Sequence, residues 1–416
     1  MSEPLVSVVI PTYNRADELR ETLTSLTAQR LAAQHFEVVV ADDGSSDSTA
    51  EMARSFESRL ALRYHYQEDR GARAALARNS GARLATAEVL AFLDAGTIAG
   101  PDFVQGHLDQ HAEGGPPRVV IGYTYGYRPF DPTPGLAQNV AALSADEVRA
   151  LYGDDPSFQD TRHRQFAMVD FDVHALPLPW IMSWTVNLSV RAEQFWRVGG
   201  FDEDFTGWGA EDLDLGLRLY KAGTRFVLGR AAWAIESPHE RDPSGKSDQV
   251  TRNAMRMLTK FPEPATELNW AWFATGEWLV QQDSLALHER YAELLAWTEQ
   301  TRDLHADATI DKAARDLPQG SSVAVFGCGA SLPAWMPGAL SRCALFDFDP
   351  AAVAEAEKRL PGQTHHGLGV RTALPDRSVD LVVLTPRLRG IWRSYGKAIL
   401  AEAERVGRNV SDLSQG

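Results

Sequence analysis

Two adjacent carboxylates, Glu211 and Asp212, follow Gly207-Trp208-Gly209-Ala210 and open a segment with Leu213, Leu217 and Tyr220 at helical spacing. Leu215 and Leu219 lie beside them, and Lys221 and Gly223 are the expected stop. The acidic pair therefore falls in a first helical turn, where backbone N–H groups are free and negative charge is favoured. Two chemistries fit that place. The acids cap the helix, or they face a ligand brought over the glycine loop. Gly207 and Gly209 let backbone come close to such a ligand, and Trp208 offers it a flat apolar face.

Other polar residues sit where short apolar runs end. Pro11-Thr12-Tyr13-Asn14 follows Leu5–Ile10, Asp42-Asp43-Gly44-Ser45-Ser46-Asp47 follows 36–41, and Asp94-Ala95-Gly96 follows 89–93. The runs are short and β-branched or aromatic, as buried parallel strands are. Helical patterns at about 17–30, 48–59 and 73–84 alternate with them, and a further strand covers 64–68. This is the doubly wound arrangement, in which ligands bind outside the carboxyl ends of the strands. Taken alone, Asp42–Asp47 is equally a turn with a helix cap.

As whole strings these segments are more specific. Gly199-Gly200-Phe201-Asp202-Glu203 with Gly207-Trp208-Gly209-Ala210-Glu211-Asp212 closely resembles the acceptor-side motif of inverting family 2 glycosyltransferases of GT-A fold. The resemblance is nearest to the galactosyltransferase and N-acetylgalactosaminyltransferase groups with Trp-Gly-x-Glu-Asp. It implies that Asp212 is the general base on the acceptor hydroxyl and that Glu211 helps to hold the acceptor sugar. Val9-Ile10-Pro11-Thr12-Tyr13-Asn14 paired with Asp42–Asp47 resembles the nucleotide-sugar entry of the same family. By that resemblance Pro11, Thr12 and Tyr13 line the nucleotide pocket, Trp208 lies by the donor, and Asp43 hydrogen-bonds the base. A carboxylate acceptor suits the N3–H of uracil, so a UDP-sugar is the expected donor. Ala77-Arg78-Asn79-Ser80-Gly81 is similar to the family's Ala-Arg-Asn-x-Gly, which implies Arg78 near the diphosphate.

The family's Asp-x-Asp is broken. Asp94 keeps the first carboxylate, but Gly96 replaces the second, and a hard divalent ion loses an oxygen ligand there. His239, closing Trp233–His239, stands where a histidine completes the metal site in the galactosyltransferase-like group. The implied cofactor is a divalent ion held by Asp94 and His239, Mn²⁺ in preference to Mg²⁺ because imidazole is the softer donor. A lone histidine is otherwise structural or simply exposed.

Residues 119–127 read as a strand, and 130–178 as a long irregular segment of the kind that forms functional loops. Trp180 and Trp184 either stack on an acceptor sugar or pack in the core. After Pro262 and Pro264 the composition changes, and a helical pattern occupies 284–298. Beyond it, Val323–Gly329 with Gly327 and Gly329, then Leu345–Pro350 with Asp347 closing a strand, form a second strand–turn–helix–strand unit. That region resembles a class I S-adenosylmethionine methyltransferase cut short. Residues 387–410 have room for one more helix at most, so its later strands are missing. An incomplete sheet reads as degenerate, used for docking or as the contact of a homo-oligomer.

The expected fold is thus α/β. A GT-A, Rossmann-like domain spans 1–261, a helical connector 262–305, and a short Rossmann-like domain 306–416. The net charge of −15 argues against nucleic acid and against an anionic membrane surface. Cys328 and Cys343, the two cysteines, give no disulfide framework. No apolar run approaches the roughly 20 residues that span a bilayer. The N-terminus enters a strand without a basic segment or cleavage site, so the cytoplasm is the expected location. The expected activity is transfer of a sugar from a UDP-sugar to the hydroxyl of a carbohydrate, glycan, natural product or peptide. The alternative is a bifunctional or non-catalytic protein whose C-terminal domain binds S-adenosylmethionine.

Overall fold

The computed structural model describes residues 3–112, 114–128, 131–238, 245–280, 284–336, 340 and 342–414. Contacts divide the chain into two compact units, Met1–Asn253 with Trp278–Leu285, and Ala254–Glu277 with Ala286–Gly416.

The first unit is built on an eight-stranded mixed sheet. Its strands are β1 (Val6–Thr12), β2 (Phe36–Asp42), β3 (Leu62–Tyr66), β4 (Val89–Leu93), β5 (Thr97–Ala99), β6 (Arg118–Tyr125), β7 (Asn187–Arg191) and β8 (Arg225–Glu236). They lie in the order β3-β2-β1-β4-β7-β6-β8-β5. The first four are parallel, so Thr12, Asp42 and Leu93 all end at one edge. β7 runs antiparallel between β4 and β6, which breaks the parallel run of the first four strands. Both faces of β1 and β2 are covered, as their continuous apolar runs require. Val8, Ile10, Val38 and Val40 pack with Leu19, Leu23, Phe103 and Val104 from the helices Ala16–Thr27 and Phe103–Ala112. On the other face Gly81, in the helix Ala74–Leu84, leaves no room for a side chain: a Cβ there would lie 2.5 Å from Val9.

The acidic helix spans Glu211–Lys221 and buries Leu213, Leu215, Leu217 and Leu219. Gly216 lets it approach the segment 180–183, where a Cβ would meet Ser183 Oγ at 2.1 Å. Tyr220, expected on the buried face, is 40% exposed; it lies in the helix's last turn, beyond the buried Leu213 and Leu217. The segment read as irregular contains the helices Leu136–Ala142, Ala145–Tyr152 and His163–Met168. They are too short for a clear period, although Ser144 and Glu147 form a capping box that the sequence displays.

The second unit carries a parallel sheet of β9 (Ser322–Phe326), β10 (Arg342–Asp347), β11 (Thr364–His366), β12 (Val379–Leu384) and β13 (Gly407–Asp412), in the order β11-β10-β9-β12-β13. Residues 387–410 were expected to give one helix at most. They give the helix Trp392–Val406 and then most of β13, which pairs parallel along β12. Gly407–Asp412 has a single large apolar residue, Val410, so no period marks it as a strand; β12 supplies the ladder. Val323, Val325, Leu345, Leu381 and Val383 pack with Ile310 and Ala314 in its core. No helix among the described residues is long and apolar enough to cross a membrane.

Candidate active site

A cleft of about 610 Å³ opens at the carboxyl ends of β1, β2 and β4. Pro11, Thr12, Tyr13, Asp43, Arg78, Asp94 and Trp208 all line it. Thr12 is 5% exposed and its Oγ1 has no hydrogen-bond partner, so a buried polar atom is left for a ligand. Tyr13 is half exposed and donates its hydroxyl to Asp69 at 3.0 Å.

Asp43 is held firmly. Its Oδ1 accepts from Gln67 Nε2 at 2.6 Å and Arg73 Nη2 at 2.9 Å, and its Oδ2 accepts from the Arg73 backbone N–H at 2.7 Å. One acceptor position on Oδ2 is left over. Asp42, its neighbour, points elsewhere: Oδ1 accepts from the Gly44 and Ser45 N–H groups and fixes the turn.

Asp212 and Glu211 open their helix directly behind a left-handed stretch. Gly207, Gly209 and Ala210 have φ of 77°, 89° and 73°. Ala210 holds that conformation at the cap without glycine's freedom, a strained position that surrounding contacts must impose. Trp208 N–H donates to Gln249 Oε1 at 2.9 Å, and Asn253 Nδ2 donates to the Gly209 carbonyl at 2.8 Å. The Trp208 ring packs against Trp278, centroids 5.3 Å apart.

Arg78 joins the two halves of the site. Its Nη1 donates to Glu211 Oε1 and its Nη2 to Asp94 Oδ1, each at 2.9 Å. Against its burial, Asp94 and Glu211 raise the proton affinity of this guanidinium. Burial, then the charge of Glu211, pushes Asp212 up to about 7, with Arg78 pulling the other way. A carboxyl poised near neutrality can take a proton at working pH.

The expected metal ligands were Asp94 and His239, of which the described residues include Asp94 alone. Among the described residues no group of three His, Cys, Asp or Glu side chains could hold an ion. Asp94 already accepts from Arg78, and His239 lies outside the described residues. Gly96 has φ of 94°, and a Cβ there would start 3.4 Å from Glu18 Cβ, so even an aspartate would be strained in that place.

Several cleft residues escaped sequence reasoning. Arg15, Arg73, Glu236, Lys246 and Gln249 line it too. Arg73 was within reach, because it directly follows the Gly71-Ala72 turn; Lys246 and Gln249 come from a helix no motif marks. Trp180 is 1% exposed and belongs to the core. Trp184 packs against Arg162, whose guanidinium carbon is 4.9 Å from the ring centroid.

In the second unit the glycine turn is present but filled. Gly327 and Gly329 have φ of 76° and 69°. Asp347 accepts from Gly329 N–H at 2.7 Å, Asp349 N–H at 2.9 Å, Arg387 Nε at 2.9 Å and Arg387 Nη2 at 3.0 Å. Four donors saturate the carboxylate, and none of its lone pairs remains for a ribose. Arg387, 1% exposed, also donates to the carbonyls of Thr301 and Leu304, and its Cδ lies 3.1 Å from where a Gly329 Cβ would be. S-adenosylmethionine at 1 mM is therefore expected to leave the melting temperature of the whole protein unchanged. A micromolar site would stabilise the unit by about 4 kcal/mol at that concentration, so a clear rise in Tm would refute the filled-pocket reading.

Comparison with known proteins matches residues 7–172 to Glycosyl transferase family 2 and residues 167–239 to the N-terminal domain of galactosyltransferase. Validoxylamine A glucosyltransferase of Streptomyces hygroscopicus subsp. limoneus is 42% identical over 417 aligned residues, covering 99% of this chain and 90% of that protein. The same enzyme from Streptomyces hygroscopicus subsp. jinggangensis (strain 5008) is also 42% identical, over 99% of this chain and 97% of its own length. Among solved structures, the mannosyltransferase PcManGT from Pyrobaculum calidifontis, in complex with GDP-Man and Mn²⁺, aligns with a TM-score of 0.45 and 20% identity. That alignment covers 66% of this chain and 73% of the other.

Proposed function

Since the chain belongs to glycosyl transferase family 2 and is a glycosyltransferase, we propose that it moves a hexose from a UDP-sugar to an acceptor hydroxyl with inversion. The two validoxylamine A glucosyltransferases, matched over 90% and 97% of their own length, support glucose as the sugar and validoxylamine A as the acceptor. The observation that carries the reading is Asp212, a carboxyl raised towards neutrality beside Glu211, whose partner Arg78 lines a cleft that can take a nucleotide.

In the proposed reaction the acceptor oxygen attacks the anomeric carbon as its proton passes to Asp212. The bond from that carbon to the diphosphate oxygen breaks, and UDP leaves. Asp43 receives the N3–H of uracil on its remaining Oδ2 position, Thr12 and Tyr13 flank the nucleotide, and Glu211 holds the acceptor. A divalent ion, Mn²⁺ or Mg²⁺, would neutralise charge on the departing diphosphate. The described residues form no ligand set for it, and no step here depends on it. We take the reaction to occur in the cytoplasm, in keeping with two buried free cysteines. The rival reading, a second unit that binds S-adenosylmethionine, is disfavoured by Arg387.

The test is direct. The protein is incubated with UDP-glucose and validoxylamine A, and UDP release is followed together with the mass of the product. An acceptor one hexose heavier is expected; absence of both UDP and product with every UDP-sugar tried would sink the proposal. The pH profile adds a second check. A base must be ionised to act, so kcat/KM should climb as pH rises through about 7 and level off above it. A profile flat from acid to alkaline pH would rule Asp212 out.

A further inference from the structure

A guanidinium buried in the middle of a helix needs partners, and those of Arg78 are unusual in their distribution. The buried neighbours on its own helix, Ala75, Ala77, Asn79, Gly81 and Ala82, carry no charge. Its charge is met from two other elements, Asp94 at the end of β4 and Glu211 at the start of the acidic helix, both at 2.9 Å. Its side chain is 6% exposed and Glu211 is 12% exposed, so this bridge is shielded from water. A diphosphate clamp asks for the opposite, a fork of donors turned towards the ligand. Here each terminal nitrogen spends one N–H on a carboxylate of the protein, Glu211 or Asp94, while Nε is buried without a partner.

The bridge also ends at the strained point of the site. Glu211 directly follows Ala210, whose left-handed backbone must be imposed by its surroundings. Asn253 fixes the carbonyl of Gly209 on one side of Ala210, and Arg78 fixes Glu211 on the other.

We propose that Arg78 is a positioning residue, a brace between Asp94 and Glu211 that holds the turn carrying Asp212, and not a contact of the diphosphate. This rests on the reading of Asp212 as the base. Arg78→Gln is expected to lower kcat by roughly 10²-fold, the cost of misplacing a reacting group by about 1 Å. UDP affinity, measured by calorimetry in the full-length protein, should stay unchanged. Arg78→Lys should recover only part of the rate, because one ammonium cannot span two carboxylates as a planar fork does. If Arg78→Gln does not fold, the same two measurements on Arg78→Lys decide. A UDP affinity that weakens tenfold or more in step with kcat would overturn the proposal and make Arg78 a leaving-group contact. An unchanged kcat would overturn it as well. Asp212→Asn is run alongside: a normal rate in that variant refutes the base assignment itself, while UDP affinity in the Arg78 variants still reports on the brace.

Discussion

Asp212→Asn is expected to lower kcat by roughly 10²-fold or more while UDP binds as tightly as before. The substitution keeps size and shape and removes only the ability to accept a proton. Asp212 sits in the first turn of its helix, and its Oδ1 accepts from the Leu213 N–H at 2.8 Å, a contact an amide oxygen can retain. The fold should therefore survive, and Arg78 keeps both of its partners, Glu211 and Asp94. UDP affinity should survive too, because the base acts on the acceptor and not on the nucleotide. Steady-state rates with saturating donor and acceptor, set beside calorimetry with UDP, measure both halves. Wild-type kcat in this variant would remove Asp212 from the mechanism.

The second large effect concerns the donor. Asp43→Ala should weaken UDP binding by about 1.5–3 kcal/mol, the worth of a hydrogen bond to a charged group in a buried site. Asp43 is 5% exposed and lines the cleft. Because it also holds Gln67 and Arg73, the alanine variant releases two side chains as well as the base. Asp43→Asn separates these effects. An amide oxygen can still face uracil, so this variant should lose less than the alanine one. Equal affinity of wild type and Asp43→Ala for UDP would mean that the nucleotide base is held elsewhere.

The residues at strand ends were legible because two signals coincide there. A short apolar run fixes the strand, and the polar residue after it must then lie at the sheet's carboxyl edge; Thr12, Asp43 and Asp94 all do. The acidic helix was legible for the same kind of reason, since Leu213 and Leu217 repeat at helical spacing. What stayed hidden depends on partners distant in the chain. No pattern ties Arg78 to residues 94 and 211, or Arg387 to Asp347, because ion pairs leave no period. β13 was hidden because an edge strand borrows its ladder from a neighbour and needs little apolar sequence of its own. Trp180 could not be assigned from its type, since a buried indole and a sugar platform look the same in sequence.

The path of the backbone between the two units has a practical result. It leaves the first unit after Asn253, returns for Trp278–Leu285, and leaves again. A fragment cut at residue 261, where the composition changes, would keep Trp208 but lose Trp278, the indole packed against it. The loop preceding Asp212 would then present an uncovered aromatic face to water. A sugar-transferring cassette cannot be excised from this protein with one cut, and exchanging its second unit for another would also have to carry over those eight returning residues.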